Sequence, residues 1–100
     1  MSGYGDSREM GCSRADIARW LREITGLDAI PEREGAFVVA LQGFDLRVQV
    51  EPIPPRRLGL VVFRANRVSF LYPPQHQQAA REWIRHFDFH TQRGGGWAAG

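Results

Sequence analysis

The chain contains no lysine: all 13 of its basic residues are arginine. Genome composition is a sufficient cause of that bias, so it carries little functional weight. Cysteine is nearly absent as well. Cys12 is the single thiol, which excludes an internal disulfide and fits a cytoplasmic protein. Long apolar runs are missing, and the longest, such as LGLVVF, fall far short of the roughly 20 residues needed to cross a bilayer. The chain does not open with a basic stretch followed by an apolar one, so neither a signal peptide nor a membrane partner is expected.

Catalytic signatures are missing too. There is no G-x-S-x-G, and the glycines at 94–96 follow a helical segment instead of opening one. Ser13 is used as a helix cap, and Glu32 and Glu34 fall in a loop without an evident companion. The chain is therefore expected not to be an enzyme and to need no cofactor.

What remains is an ordinary globular mixture, 43% hydrophobic and 24% charged over 100 residues. A chain this long can bury one modest core, with little left to wall a deep cavity. Charge is unevenly spread. Residues 1–50 hold six arginines against eight acids (net −2), whereas residues 51–100 hold seven against three (net +4). A basic C-terminal half suits an anionic partner, whether a nucleic acid or an acidic protein face.

Residues 1–12, MSGYGDSREMGC, mix glycine and polar residues without period and read as a mobile arm. A helix is predicted next. Ser13 and Asp16 have capping-box spacing, Ile17, Trp20, Leu21 and Ile24 form one stripe, and Gly26 supplies the stop. AFVVALQGFDLRVQVEP reads as a β-hairpin turning at Gln42-Gly43. Its register pairs Leu41 with Phe44, Val39 with Leu46 and Phe37 with Val48, all on one face. Val38, Ala40, Asp45, Arg47 and Gln49 then take a wet reverse face.

PIPPRR, at 52–57, is read as a connection, because proline lacks the donor that a central strand needs. LGLVVFRANRVSFLY is read as a second hairpin, turning at Ala65-Asn66, with Phe63 opposite Val68 and Val61 opposite Phe70. A second helix follows, with Ala80, Trp83, Ile84 and Phe87 as its stripe. It must end near residue 88 or else expose Phe89. Residues 94–100, with Trp97, are read as a flexible glycine-rich tail. The expected fold is thus α+β, in the order α-β-β-β-β-α: a two-layer sandwich with a four-stranded antiparallel sheet of two hairpins and both helices on one face, forming a single domain over residues 13–93.

Three chemical signals stand out. His86 and His90 are one helical turn apart, but Asp88 would point away from both, and a third ligand could come only from His76. Zinc wants three or four converging ligands, so no metal site is expected. QRGGGW resembles one unit of an Arg-Gly nucleic-acid tail, yet such units usually repeat. The reverse face of the second hairpin is the third signal. In the expected register Leu60, Val62 and Leu71 point away from the core beside Arg64 and Arg67, an apolar patch with a basic rim. Arg56 and Arg57 lie close by as anion contacts.

These observations lead to the expectation of a small non-enzymatic interaction module, of an accessory or adaptor kind. It would bind a protein partner, or itself as a homo-oligomer, through Leu60, Val62, Arg64, Arg67 and Leu71. The competing expectation is a nucleic-acid-binding domain that uses the arginine-rich C-terminal half.

Overall fold

The computed structural model describes residues 4–93 and Ala98–Ala99. The elements in chain order are β1 (Tyr4–Met10), α1 (Arg14–Thr25), β2 (Glu32–Arg33), β3 (Ala36–Leu41), β4 (Phe44–Pro52), β5 (Arg56–Leu58), β6 (Val61–Phe63), β7 (Asn66–Tyr72), α2 (Gln77–Arg93) and β8 (Ala98–Ala99). A single 3-10 turn, Pro74–His76, leads into α2.

Local chemistry sets α1 as expected. The Ser13 hydroxyl accepts the Asp16 N–H at 3.1 Å, while an Asp16 carboxylate oxygen accepts the Ser13 N–H at 3.0 Å. Two of the N–H groups that a helix start leaves unbonded are satisfied reciprocally. Gly26 closes the helix at φ +76, donating its N–H to the Arg22 carbonyl at 2.8 Å. Such left-handed backbone is costly for any residue with a Cβ.

Six strands form one antiparallel sheet in the order β2-β3-β4-β7-β1-β8. The β3–β4 hairpin has the register read from the sequence, with Leu41 opposite Phe44, Val39 opposite Leu46 and Phe37 opposite Val48. Those inward residues join Ile17, Trp20 and Leu21 of α1 and Ala80, Ile84 and Phe87 of α2 in one buried cluster. Both helices therefore cover the same face of an α+β fold. Phe70 of β7 sits at its centre, meeting Phe87 edge-on at 5.2 Å between ring centroids.

The sheet departs from the expected four strands in three places. First, residues 4–10 are not part of a mobile arm: β1 pairs with β7 along its whole length, from Tyr4 opposite Tyr72 to Met10 opposite Asn66. Met10 is fully buried, and β1 is held by charge as well as by its ladder, as Arg8 of β1 forms an ion pair with Asp88 of α2. Second, Glu32 and Glu34 have partners. β2 pairs with β3 through a two-residue turn, Glu34-Gly35, with φ +54 and +81. Arg14 reaches Glu32 at 2.6 Å and Arg47 reaches Glu34 at 2.9 Å. Because Arg47 lies directly opposite Val38, its stem crosses the face read as wet, where Val38 and Ala36 are buried.

Third, the second hairpin does not form. β7 is flanked on both sides, by β1 and by β4, with Val68 opposite both Arg8 and Val50. No free edge is left on β7 to take Val61 or Phe63. On the β4 side the last pair is Pro52 with Asn66. Residues 53–65 are an excursion between the two, closed at its base where the Ile53 N–H donates to the Ala65 carbonyl at 3.3 Å.

Of the two outcomes foreseen for α2, the second is realised: the helix runs on to Arg93 and leaves Phe89 58% exposed. Of the tail read as flexible, residues 94–97 and 100, with Trp97, lie outside the described residues. Ala98 and Ala99 pair with Met10 and Glu9 of β1.

Candidate protein-interaction site

Within the excursion, β5 and β6 pair only with each other, forming a separate two-stranded arm. Leu58 faces Val61 across a two-residue turn, Gly59-Leu60. Gly59 has φ +63, and Leu60 is not among the positive-φ residues, which is the type II′ pattern with glycine at the first central position. Arg57 stands opposite Val62, and Arg56 opposite Phe63.

The arm is short, apolar and uncovered. Leu58 is 68% exposed, Leu60 fully so, Val61 53% and Val62 45%. Four large aliphatic side chains are exposed together on one small hairpin, whereas scattered exposure needs no special account. Alternation puts Leu58 and Val61 on one side and Val62 on the other, so both sides of the arm present exposed aliphatic side chains.

The five residues expected on one face are therefore divided. Leu60 and Val62 are at the tip, and Arg64 is exposed at the root of the arm. Arg67 and Leu71 belong to β7 and lie on the outer face of the main sheet. Leu71 is half-buried there, opposite Gly5 and Arg47. The anion contacts divide as well. Arg57 has no ion-pair partner among the described residues, but Arg56 binds Glu9 at 2.8 Å. Arg67 lies 3.8 Å from the other oxygen of Glu9, and the register sets Glu51 on its far side. Arg56 and Arg67 are thus held by the protein's own acids, whereas among the described residues Arg57 and Arg64, which collar the arm, have no ion-pair partner.

Leu58 and Val61 were missed in the sequence. The signal was Leu-Gly-Leu-Val, in which Gly59 allows a tight turn immediately before the run LVVF. Two shallow clefts flank the root of the arm. One, of about 440 Å³, is lined by Pro52, Pro54, Pro55, Glu9, Glu51 and Arg67. The other, of about 550 Å³, includes Cys12, Ser13, Asp16, Arg64 and Asn66. Burial, and secondarily the nearby Asp16 charge, pushes the Cys12 thiol up to about 11. It stays protonated and weakly nucleophilic at neutral pH.

The histidines go to separate partners. His76 stacks on Phe44 with centroids 4.5 Å apart, and His90 meets Glu23 of α1 at 2.7 Å. Asp88, between His86 and His90 in sequence, is engaged by Arg8. Among the described residues no three His, Cys, Asp or Glu side chains gather as a metal site would require, and no helix is long and apolar enough to cross a membrane.

Fold and site together define an α+β domain that carries an extruded apolar arm with a basic collar. No protein-family model matches the chain, and neither a curated protein nor a solved structure matches it.

Proposed function

We propose that this chain is a small non-enzymatic interaction module that binds protein through the β5–β6 arm. The observation that carries the reading is the exposure of Leu58, Leu60, Val61 and Val62, all four of which lie outside the buried cluster. Removing such surface from water is worth roughly 25 cal/mol per Å², and the body of the protein leaves it uncovered. Arg57 and Arg64 at the collar steer and orient an acidic rim on the bound surface. The expected site is thus narrowed to Leu60, Val62 and Arg64, joined by Leu58, Val61 and Arg57. Arg67 and Leu71 leave it.

Protein is favoured over nucleic acid because Arg56 and Arg67 are already neutralised by Glu9, which thins the basic surface that phosphate binding needs. The test is capture from the source lysate by the tagged full chain, with and without nuclease, read by mass spectrometry. Leu60→Asp should abolish capture of a nuclease-resistant protein while circular dichroism stays unchanged. Capture lost to nuclease, and indifferent to Leu60→Asp, would overturn the reading.

A further inference from the structure

We infer that the protein bound by the arm presents an aromatic-lined groove with a carboxylate at one end, and that the segment seated in it is Pro52–Arg57. The inference deepens the proposed function and rests on it. It begins from the prolines. Proline fixes its own φ at about −65° and drives the residue before it into extended backbone. Glu51, Ile53 and Pro54 each precede a proline, so residues 51–55 are biased to the polyproline-II conformation. Both ends of the segment are tied. Pro52 stands opposite Asn66, and the Ile53 N–H donates to the Ala65 carbonyl at 3.3 Å. Arg56 stands opposite Phe63, with its guanidinium 2.8 Å from Glu9. A segment ordered in advance loses little entropy when it binds.

Shape and charge select the occupant. Pro52, Ile53 and Pro55 line both shallow clefts at the root of the arm, so the segment is the ridge between them. All three prolines are exposed on it. A ridge with a hollow on each side fits a groove whose walls descend into the hollows. Strand addition does not suit it, because Pro54 and Pro55 have no N–H to give to a ladder. Their carbonyls, which no hydrogen bond uses among the described residues, remain as acceptors. Aromatic rings cover the pyrrolidine faces of such a segment while a Trp N–H or Tyr O–H reaches its carbonyls. Pro52 and Pro55 are three apart, one turn of this helix, and share an edge. Arg57 follows two residues later, about 6 Å further on. Alternation places it on the other side of β5 from Arg56 and Glu9, and it has no ion-pair partner among the described residues. It meets the groove's carboxylate and so sets the direction in which the segment lies. A second copy does not supply such a groove: among the described residues Phe89 is the one large aromatic that is exposed.

The test titrates the 15N-labelled full chain with a panel of purified SH3 domains, chosen for a carboxylate beside their aromatic groove. At least one should shift the amide resonances of Ile53, Arg56 and Arg57. Pro55→Ala and Arg57→Glu should each abolish those shifts with circular dichroism unchanged. No shift at these amides with any member, or shifts that survive both substitutions, would overturn the inference. Lysate capture separates that failure from a larger one. Pro54→Ala with Pro55→Ala should release the same nuclease-resistant protein that Leu60→Asp releases. Capture that needs Leu60 and ignores both prolines removes the proline docking and leaves the interaction module standing. If capture also ignores Leu60, both are lost.

Discussion

Arg8 of β1 and Asp88 of α2 form an ion pair on the helix-covered side of the sheet, with the Arg8 guanidinium 5.3 Å from the centre of the Phe70 ring. The two residues are 80 positions apart in the chain. They tie the N-terminal strand to the C-terminal helix over the middle of the core.

Both side chains are mostly withdrawn from water, at 19% and 27% exposure, so removing one strands the other. Arg8→Ala or Asp88→Ala should each cost about 2 kcal/mol in urea unfolding, somewhat below the roughly 3–5 seen for fully buried pairs. A double substitution, Arg8→Met with Asp88→Leu, should cost less than the two single changes added together. Single changes each within about 0.5 kcal/mol of wild type, the range of ordinary surface substitutions, would show that the pair does not hold β1.

Gly5 is the second anchor of that strand. A Cβ there would lie 2.8 Å from Leu71 Cδ2 and 2.9 Å from the Phe70 carbonyl oxygen. The first contact can relax by a rotamer change, but the second is backbone. Gly5→Ala should therefore destabilise by about 1–2 kcal/mol, as overpacking does, and adding Leu71→Ala should relieve only part of the loss. Full rescue by Leu71→Ala in a thermal melt would mean that the backbone contact is unimportant.

The cap of α1 gives a pH-dependent prediction. The Ser13 backbone N–H, before any other cause, holds the Asp16 carboxyl below its usual 3.8. A depressed carboxyl contributes stability that is present above the unfolded value and lost as pH falls through the folded one. The wild-type chain should thus lose this contribution progressively below about pH 4, and Asp16→Asn should flatten that part of the stability profile. Ser13→Ala should cost about 1 kcal/mol near neutral pH, as cap removals do. An unchanged acid limb in Asp16→Asn would sink the argument.

Much of this fold was legible in the sequence, and the exceptions share a cause. The two helices and the β3–β4 hairpin announce themselves because each buries one face, and burial writes a period into the chain. β1 does not, because two of its inward positions are Asp6 and Arg8, the latter satisfied by an acid on a distant helix that no local pattern displays. The second hairpin was misread for the opposite reason. LGLVVF and NRVSFLY are both good strands, and adjacency in sequence suggested pairing, but β4 and β1 compete for the two edges of β7 and both win. Of the site, Leu60 and Val62 were found because they disagreed with the hairpin assigned to them. That disagreement was the trace of the arm.

Cys12 offers a test of burial at the root of the arm. Raising a thiol from 9.0 to about 11 lowers its thiolate fraction at neutral pH by about 100-fold, and only the thiolate reacts. Alkylation by iodoacetamide at pH 7.5 should be slower in the native chain than in urea by on the order of that factor. Equal rates would mean that the cleft beside Asn66 and Arg64 is open to solvent.

The last prediction separates the arm from the fold. The excursion begins and ends at Ile53 and Ala65, which are already hydrogen-bonded to each other beyond the final pair of β4 and β7. Replacing residues 54–64 by Asn-Gly should therefore convert it into an ordinary two-residue hairpin turn. Among the described contacts what is lost inside the protein is small: Arg56 is 69% exposed in its pair with Glu9, and pairs with an exposed member contribute at most about 1 kcal/mol. What is gained is cheaper loop closure, at about 0.6 kcal/mol for each halving of length. The excised chain should keep its circular dichroism spectrum and unfold within about 1 kcal/mol of wild type. It should also lose arm-dependent binding entirely. A chain that fails to fold without the arm would make Leu58, Leu60, Val61 and Val62 structural residues, and their exposure would no longer argue for a partner.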